Sequence, residues 1–169
     1  MRRRDVLLGL VLLAAGCKRG ASAVAATPPH ETTDRSVSQF CGMSLTEMAG
    51  PKAQVFIRGI PEPYWFGSVR DMFAFVFLPE MPKAITAIYV SDMARAKNWD
   101  QPEPGTWVDA HQASYVIGSR RKNGMGADEA IPFGDAAAAR RFADADGGRV
   151  VTFDEMPRDY VLTADSGNQ

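Results

Sequence analysis

One plan occurs twice in this chain, and it narrows the possible folds more than anything else. Phe66-Gly67 opens one apolar helical pattern and Phe133-Gly134 opens a second. Phe75 and Phe142 lie equally far into the two patterns, and Met93 and Met156 end the strands that follow. In the first pass, Ala53-Gln54-Val55-Phe56-Ile57-Arg58 reads as a strand, and Gly59 with Pro61 and Pro63 makes a turn. Ser68 has the chemistry of a helix N-cap, with Asp71 three places on. Val69, Met72, Phe73 and Val76 then recur at helical spacing until Pro79 and Pro82 stop the helix. Ile85-Thr86-Ala87-Ile88-Tyr89-Val90 is the closing strand. In the second pass, Trp107-Val108 and residues 113–117 read as strands, 136–144 as a helix stopped by Gly147-Gly148, and 149–153 as the last strand. The expected fold is α+β: two related β-β-α-β units, 38–100 and 101–162, packed together, with 163–169 a frayed tail.

The N-terminus reads as an export signal. Arg2, Arg3 and Arg4 precede a short apolar run, 6–15, too short to cross a bilayer as a helix. Ala14-Ala15-Gly16-Cys17 has the form of a lipoprotein processing site, with residues 1–16 removed and Cys17 lipidated. Ala14 stands where such sites usually carry Leu, and cleavage after Ala21-Ser22-Ala23 is the alternative. Residues 17–37 are small, polar and Pro-containing, the composition of a tether, and the body is expected to start near Gln39. Of 19 basic and 20 acidic residues, cleavage after Gly16 takes three Arg and one Asp, leaving −3. No basic field for nucleic acid remains.

The chain has two cysteines, and either processing route leaves Cys41 without an internal partner. An unpaired thiol in an oxidising compartment is a ligand, a reactive group, an intermolecular bridge, or a buried inert side chain. Cys41-Gly42-Met43 places a thiol and a thioether either side of a glycine, which lets the backbone turn so that both aim at one point. Such soft donors suit Cu(I), whereas a closed zinc site needs more Cys or His than one thiol and two His supply. Met125, between Gly124 and Gly126 in a polar loop, is either a further ligand brought from the second unit or a packing contact. Met48, before Ala49-Gly50-Pro51, and His111 are second-rank ligands. Met72, Met81, Met93 and Met156 read as packing, Asp128-Glu129 as a solvated or capping pair, and Arg120-Arg121-Lys122 as solvated surface. No nucleophile elbow, P-loop or dinucleotide fingerprint is present.

Phe40-Cys41-Gly42-Met43, Gly50-Pro51-Lys52 with Gln54, Ser68-Val69-Arg70-Asp71, Tyr89-Val90-Ser91-Asp92 and residues 107–110 together resemble the NosL family. Residues 115–119, Gly124-Met125-Gly126 and Ile131-Pro132-Phe133 extend the resemblance across the body. It implies a pair of β-β-α-β units related to the organomercury lyase fold. It also implies a lipid-anchored periplasmic Cu(I) chaperone with Cys41 and Met43 as ligands and Met125 the third. In this family a His often takes the place of Met48. The implied partners are apo nitrous oxide reductase and its ABC-type maturation complex, with copper passing by ligand exchange. Two other readings stand beside it: a thiol enzyme resembling the organomercury lyases, and a structural lipoprotein with Cys41 buried and inert.

Overall fold

The computed structural model describes residues 27–80 and 84–163. Residues 1–16, expected to be a signal peptide, Cys17 and Met81 lie outside these residues, as does the tail beyond Thr163.

Among the described residues, after a 3-10 turn at Leu45–Glu47, seven strands and three α-helices follow in the order β1 (Ala53–Ile57), β2 (Tyr64–Phe66), α1 (Val69–Phe77), β3 (Ile85–Ser91), β4 (Trp107–Asp109), β5 (Ser114–Ile117), β6 (Ile131–Phe133), α2 (Ala136–Asp146), β7 (Arg149–Thr152) and α3 (Arg158–Leu162). The first sheet has the order β2-β1-β3-β4 and the second β6-β5-β7, antiparallel throughout. The repeat is therefore real: β2-β1-β3 around α1 matches β6-β5-β7 around α2. Trp107–Asp109 departs from expectation. It hydrogen-bonds to β3 and extends the first sheet, not the second.

The helices differ in how much of their surface they bury, and their sequences explain why. In α1, residues 73 and 75 point to opposite sides, about 200° apart. Phe75 meets Tyr64 and Phe66 of the first sheet, while Phe73 meets Tyr115 and Phe153 of the second unit. A helix apolar on two sides belongs in the middle, and α1 is the layer between the sheets. In β5, Tyr115 and Ile117 join the core around α1, and Val116 joins a separate cluster under α2. The alternating pleat thus gives the second sheet a helix on each face. Helix α2 buries only Ala139 fully and is the outer layer.

The caps are as the residues demand. Ser68 accepts from the Asp71 amide and Asp135 from the Ala137 amide. Gly147, at φ +79°, ends α2.

Residues 27–37 correct the tether expectation: this half packs as a strap on the outer face of the first sheet. Gln54 exchanges two hydrogen bonds with the His30 backbone, at 2.9 and 3.0 Å. The Tyr89 hydroxyl donates to Thr27 O, and the Glu31 carboxylate accepts from Trp107 Nε1 and Gly105 N. The His30 ring stands edge-on to Phe56.

Candidate metal centre

Residues 37–44 form a tight hairpin on the free edge of β2. Ser38 N donates to Met43 O, and Gly42 N to Ser38 O, both at 2.9 Å. Ser38 bridges to Trp65, and Gln39 N donates to Trp65 O at 2.7 Å. The turn closes through Gly42 at φ +70°, a left-handed conformation that glycine adopts without strain. Cys41 is free and exposed, and Met43 is 42% exposed. The reading of Cys41 as a buried, inert thiol therefore does not hold. The Phe40 ring meets Phe66 edge-on at 5.6 Å and ties the hairpin to the core.

Met125 stands on a second rigid turn. The Asn123 side-chain oxygen accepts from the amides of Met125 and Ala127, and Asn123 N donates to Ala127 O. Wound around this buried carboxamide, the loop leaves Met125 at its tip, 50% exposed. The loop is seated on the turn at 48–50. A Cβ added to Gly124 would come within 2.7 Å of Ala49 N and 2.9 Å of Ala49 O, so only glycine fits. A run of contacts thus joins the two displays: Phe40 to Phe66, Gly67 to Met48, and Ala49 to Gly124.

The second-rank residues are placed differently. Met48 is 2% exposed, with its sulfur packed on Gly67. His111 lies against the Phe153 ring, its Nδ1 3.4 Å from Asp109, in a shallow recess with Val76 and Ile85. No residue of the Cys41 or Met125 turns lines that recess. Met72, on the helical stripe, and Met93 and Met156, at element ends, are buried packing residues, as expected. The basic run does more than face solvent: Arg120 donates to Ala145 O, Arg121 lies over the Trp99 ring and Lys122 pairs with Asp128.

Two buried charges lie under the site: Lys52 has no role assigned from sequence, and Glu129, read with Asp128 as a solvated or capping pair, is a capping residue but a buried one. Lys52, 3% exposed, donates to Met48 O at 2.6 Å, to Gly50 O at 2.5 Å and to Asp100 O at 3.5 Å. Burial lowers its pKa to about 8, against the raising influence of Glu129 and Asp100. Glu129 is fully buried. Its Oε1 accepts from the Ser68 hydroxyl and from the Arg70 and Ala130 amides, so a carboxylate of the second unit caps a helix of the first. Its Oε2 has no hydrogen-bond partner among the described residues. Burial pushes its pKa up to about 7, and the three hydrogen bonds only partly offset this. The sequence signal for both was context: Lys52 abuts a strand that is apolar but for Gln54, and Glu129 precedes Ala130-Ile131.

Among the described residues no group of three or more His, Cys, Asp or Glu could hold a metal ion. That excludes an ordinary closed zinc or hard-cation cage there. What the surface offers instead is one thiol and two thioethers, side chains of the type that suits soft metal ions.

The class that fold and surface define is an α+β protein of two ββαβ units with sulfur-bearing residues exposed on glycine turns. The NosL family model matches residues 29–161, and the chain belongs to that family. It is 41% identical over 164 residues to the copper-binding lipoprotein NosL of Achromobacter cycloclastes, covering 96% of this chain and 84% of that one. With the copper-binding lipoprotein NosL of Stutzerimonas stutzeri the identity is 34% over 152 residues, 89% and 77% of the two chains. The crystal structure of the copper chaperone NosL from Shewanella denitrificans superposes with a TM-score of 0.71 at 29% identity, covering 78% of this chain and 98% of that one. These relatives are named as binding proteins and a chaperone, not as enzymes.

Proposed function

We propose that the protein is a membrane-anchored carrier that holds Cu(I) through Cys41, Met43 and Met125 and delivers it by ligand exchange. The observation that carries this reading is the exposure of all three residues on two glycine turns seated on the packed body. A thiolate balances the cation's charge. Thioethers stay neutral across physiological pH and bind without competition from protons. Two or three sulfur ligands satisfy Cu(I) and leave a side open, so an acceptor's ligand can enter before the first leaves. The relatives' names support copper as the cargo and a lipoprotein as the form. The processing site at Cys17 supports a lipid anchor at the periplasmic face of a bacterial membrane. The acceptor is apo nitrous oxide reductase, met at an ABC-type maturation complex.

The test is an anaerobic Cu(I) titration against a competing chelator. Cys41→Ser abolishes tight binding, Met43→Leu and Met125→Leu weaken it, and Met72→Leu leaves it as in the parent. Equal binding by Cys41→Ser and the parent refutes the reading. The route to nitrous oxide reductase is tested separately, by metal transfer to the apoenzyme from the loaded protein.

A further inference from the structure

We propose that Lys52 is a positioning residue for the sulfur site: its buried ammonium clamps the turn at 48–50, and that turn is the seat that sets where Met125 stands. The inference rests on the reading of Met125 as a ligand. The clamp is explicit in the hydrogen bonds. Lys52 Nζ sits among the carbonyls of Met48, Gly50 and Asp100. Gly50 N donates to the same Asp100 O, at 3.1 Å. Gln101 Nε2 takes Thr46 O and Met48 O from the other side, at 2.9 and 3.0 Å. Lys52 is itself held by strand pairing, for its amide donates to Ser91 Oγ and its carbonyl accepts from Ser91 N. The turn is thus pinned to the first sheet through one side chain.

The second half of the chain of contacts is steric. Ala49 presents its backbone to Gly124 at a distance that admits no Cβ. The Asn123 carboxamide makes the loop a closed unit, so a shift of its seat carries Met125 with it rather than being absorbed. Lys52 touches no sulfur donor, and its influence passes through the Met48–Gly50 carbonyls. A buried lysine is a costly way to hold three carbonyls together, and a hydrophobic side chain of the same length would relieve the burial cost. It would also abandon all three acceptors, two of which lie in the turn that carries the loop.

The experiment compares the parent with Lys52→Met, Gly124→Ala, Met125→Leu, Cys41→Ser and the double variant Lys52→Met/Met125→Leu. Cu(I) affinity is measured by chelator competition, and sulfur neighbours are counted by X-ray absorption at the copper edge. The expected result is that Lys52→Met and Gly124→Ala each bind about 10- to 100-fold more weakly and show the sulfur count of Met125→Leu. The double variant then binds no more weakly than Met125→Leu. Parent-like binding by Lys52→Met beside weakened Met125→Leu overturns the positioning role and leaves the ligand reading standing. Additive losses in the double variant overturn it too. If Met125→Leu binds as the parent does, the ligand reading of Met125 fails and the proposal falls with it, while Cys41→Ser still reports whether the thiol holds copper. Should Lys52→Met not fold, Gly124→Ala decides, because it unseats the loop without touching the buried charge. An unchanged sulfur count there refutes the seat.

Discussion

Glu129→Gln should make the protein more stable than the parent at neutral pH, by about 3 kcal/mol, and no more stable near pH 4.5. The carboxyl lies fully buried, and burial raises its pKa to about 7 from an ordinary 4.5. A folded-state pKa above the unfolded one means that the native protein holds the proton more tightly. The stabilisation from that proton is complete below about 4.5 and is lost as pH climbs through about 7. Over that interval, at about 1.4 kcal/mol for each pH unit, the loss comes to about 3 kcal/mol. Glutamine keeps an acceptor for Ser68, Arg70 and Ala130 and has no proton to lose. Titrating groups that Glu129 does not influence are common to both proteins and cancel in the difference; Lys52 and Tyr160, whose pKa values its charge raises, titrate above the range tested in the parent. Lys52 works in another window: its lowered pKa costs stability that returns as pH rises from about 8 toward 10.5, above the range tested. Urea unfolding of both proteins between pH 4.5 and 7.5, followed by tryptophan fluorescence, measures the gap. A gap that opens steadily toward neutral pH supports the reasoning. A constant gap, or one that widens toward acid, refutes a buried carboxyl that ionises at a cost.

Three further outcomes follow from packing and exposure. Gly67→Ala puts a methyl 2.1 Å from the Met48 sulfur and should cost about 1–3 kcal/mol. Adding Met48→Ala should destabilise less than the two single losses combined, as thermal melts of the three variants would show. Gln54→Leu removes both hydrogen bonds to the His30 backbone. Amide exchange at residues 30–33 should accelerate about tenfold or more, while α1 amides keep their protection. Cys41 in the reduced protein should react with a maleimide at the rate of a small exposed thiol, and stoichiometric Cu(I) should suppress that reaction. Slow labelling without copper would contradict the exposed turn.

Local chemistry made part of this fold legible. Ser68, the Val69-Met72-Phe73-Val76 stripe and Pro79 define α1, because caps and periodicity act within one turn. What periodicity does not say is which neighbour each face meets, so the sandwiching of α1 between two sheets stayed hidden in the alternation of Phe73 and Phe75. Strands β2 and β6, of three residues each, are too short for a pattern to emerge. β6 also contains Pro132, tolerable because β6 lies on a sheet edge. The strap at 27–37 reads as a linker because its partners, Gln54, Tyr89 and Trp107, are remote in sequence. For the site, Cys41, Met43 and Met125 announce themselves by residue type and by flanking glycines. Lys52, Asn123 and Glu129 do not, since a charged or polar residue reads as surface until tertiary packing buries it.

On the proposed reading of the site, its methionines separate holding from delivering. Met43 and Met125 are 42% and 50% exposed, whereas Met48 is 2% exposed on Gly67. A ligand sunk as deeply as Met48 could add affinity, but an incoming donor could not reach the metal from its side. Exposed thioethers give up some grip and leave the approach free. Exposure alone would let them wander, at a cost in binding for each side chain and loop that must be ordered. Here the loops are already ordered. The hairpin is paired to β2, and the Met125 turn is wound around Asn123 and set on Ala49. The base beneath keeps two buried charges, Lys52 and Glu129, which an apolar core of the same shape would not need. Each joins parts of the chain that the repeat alone would leave independent: Lys52 ties the 48–50 turn to the first sheet, and Glu129 ties the second unit to α1. Stability is given up at those two points, and a fixed placement of the turns that bear Cys41, Met43 and Met125 is what they supply in return.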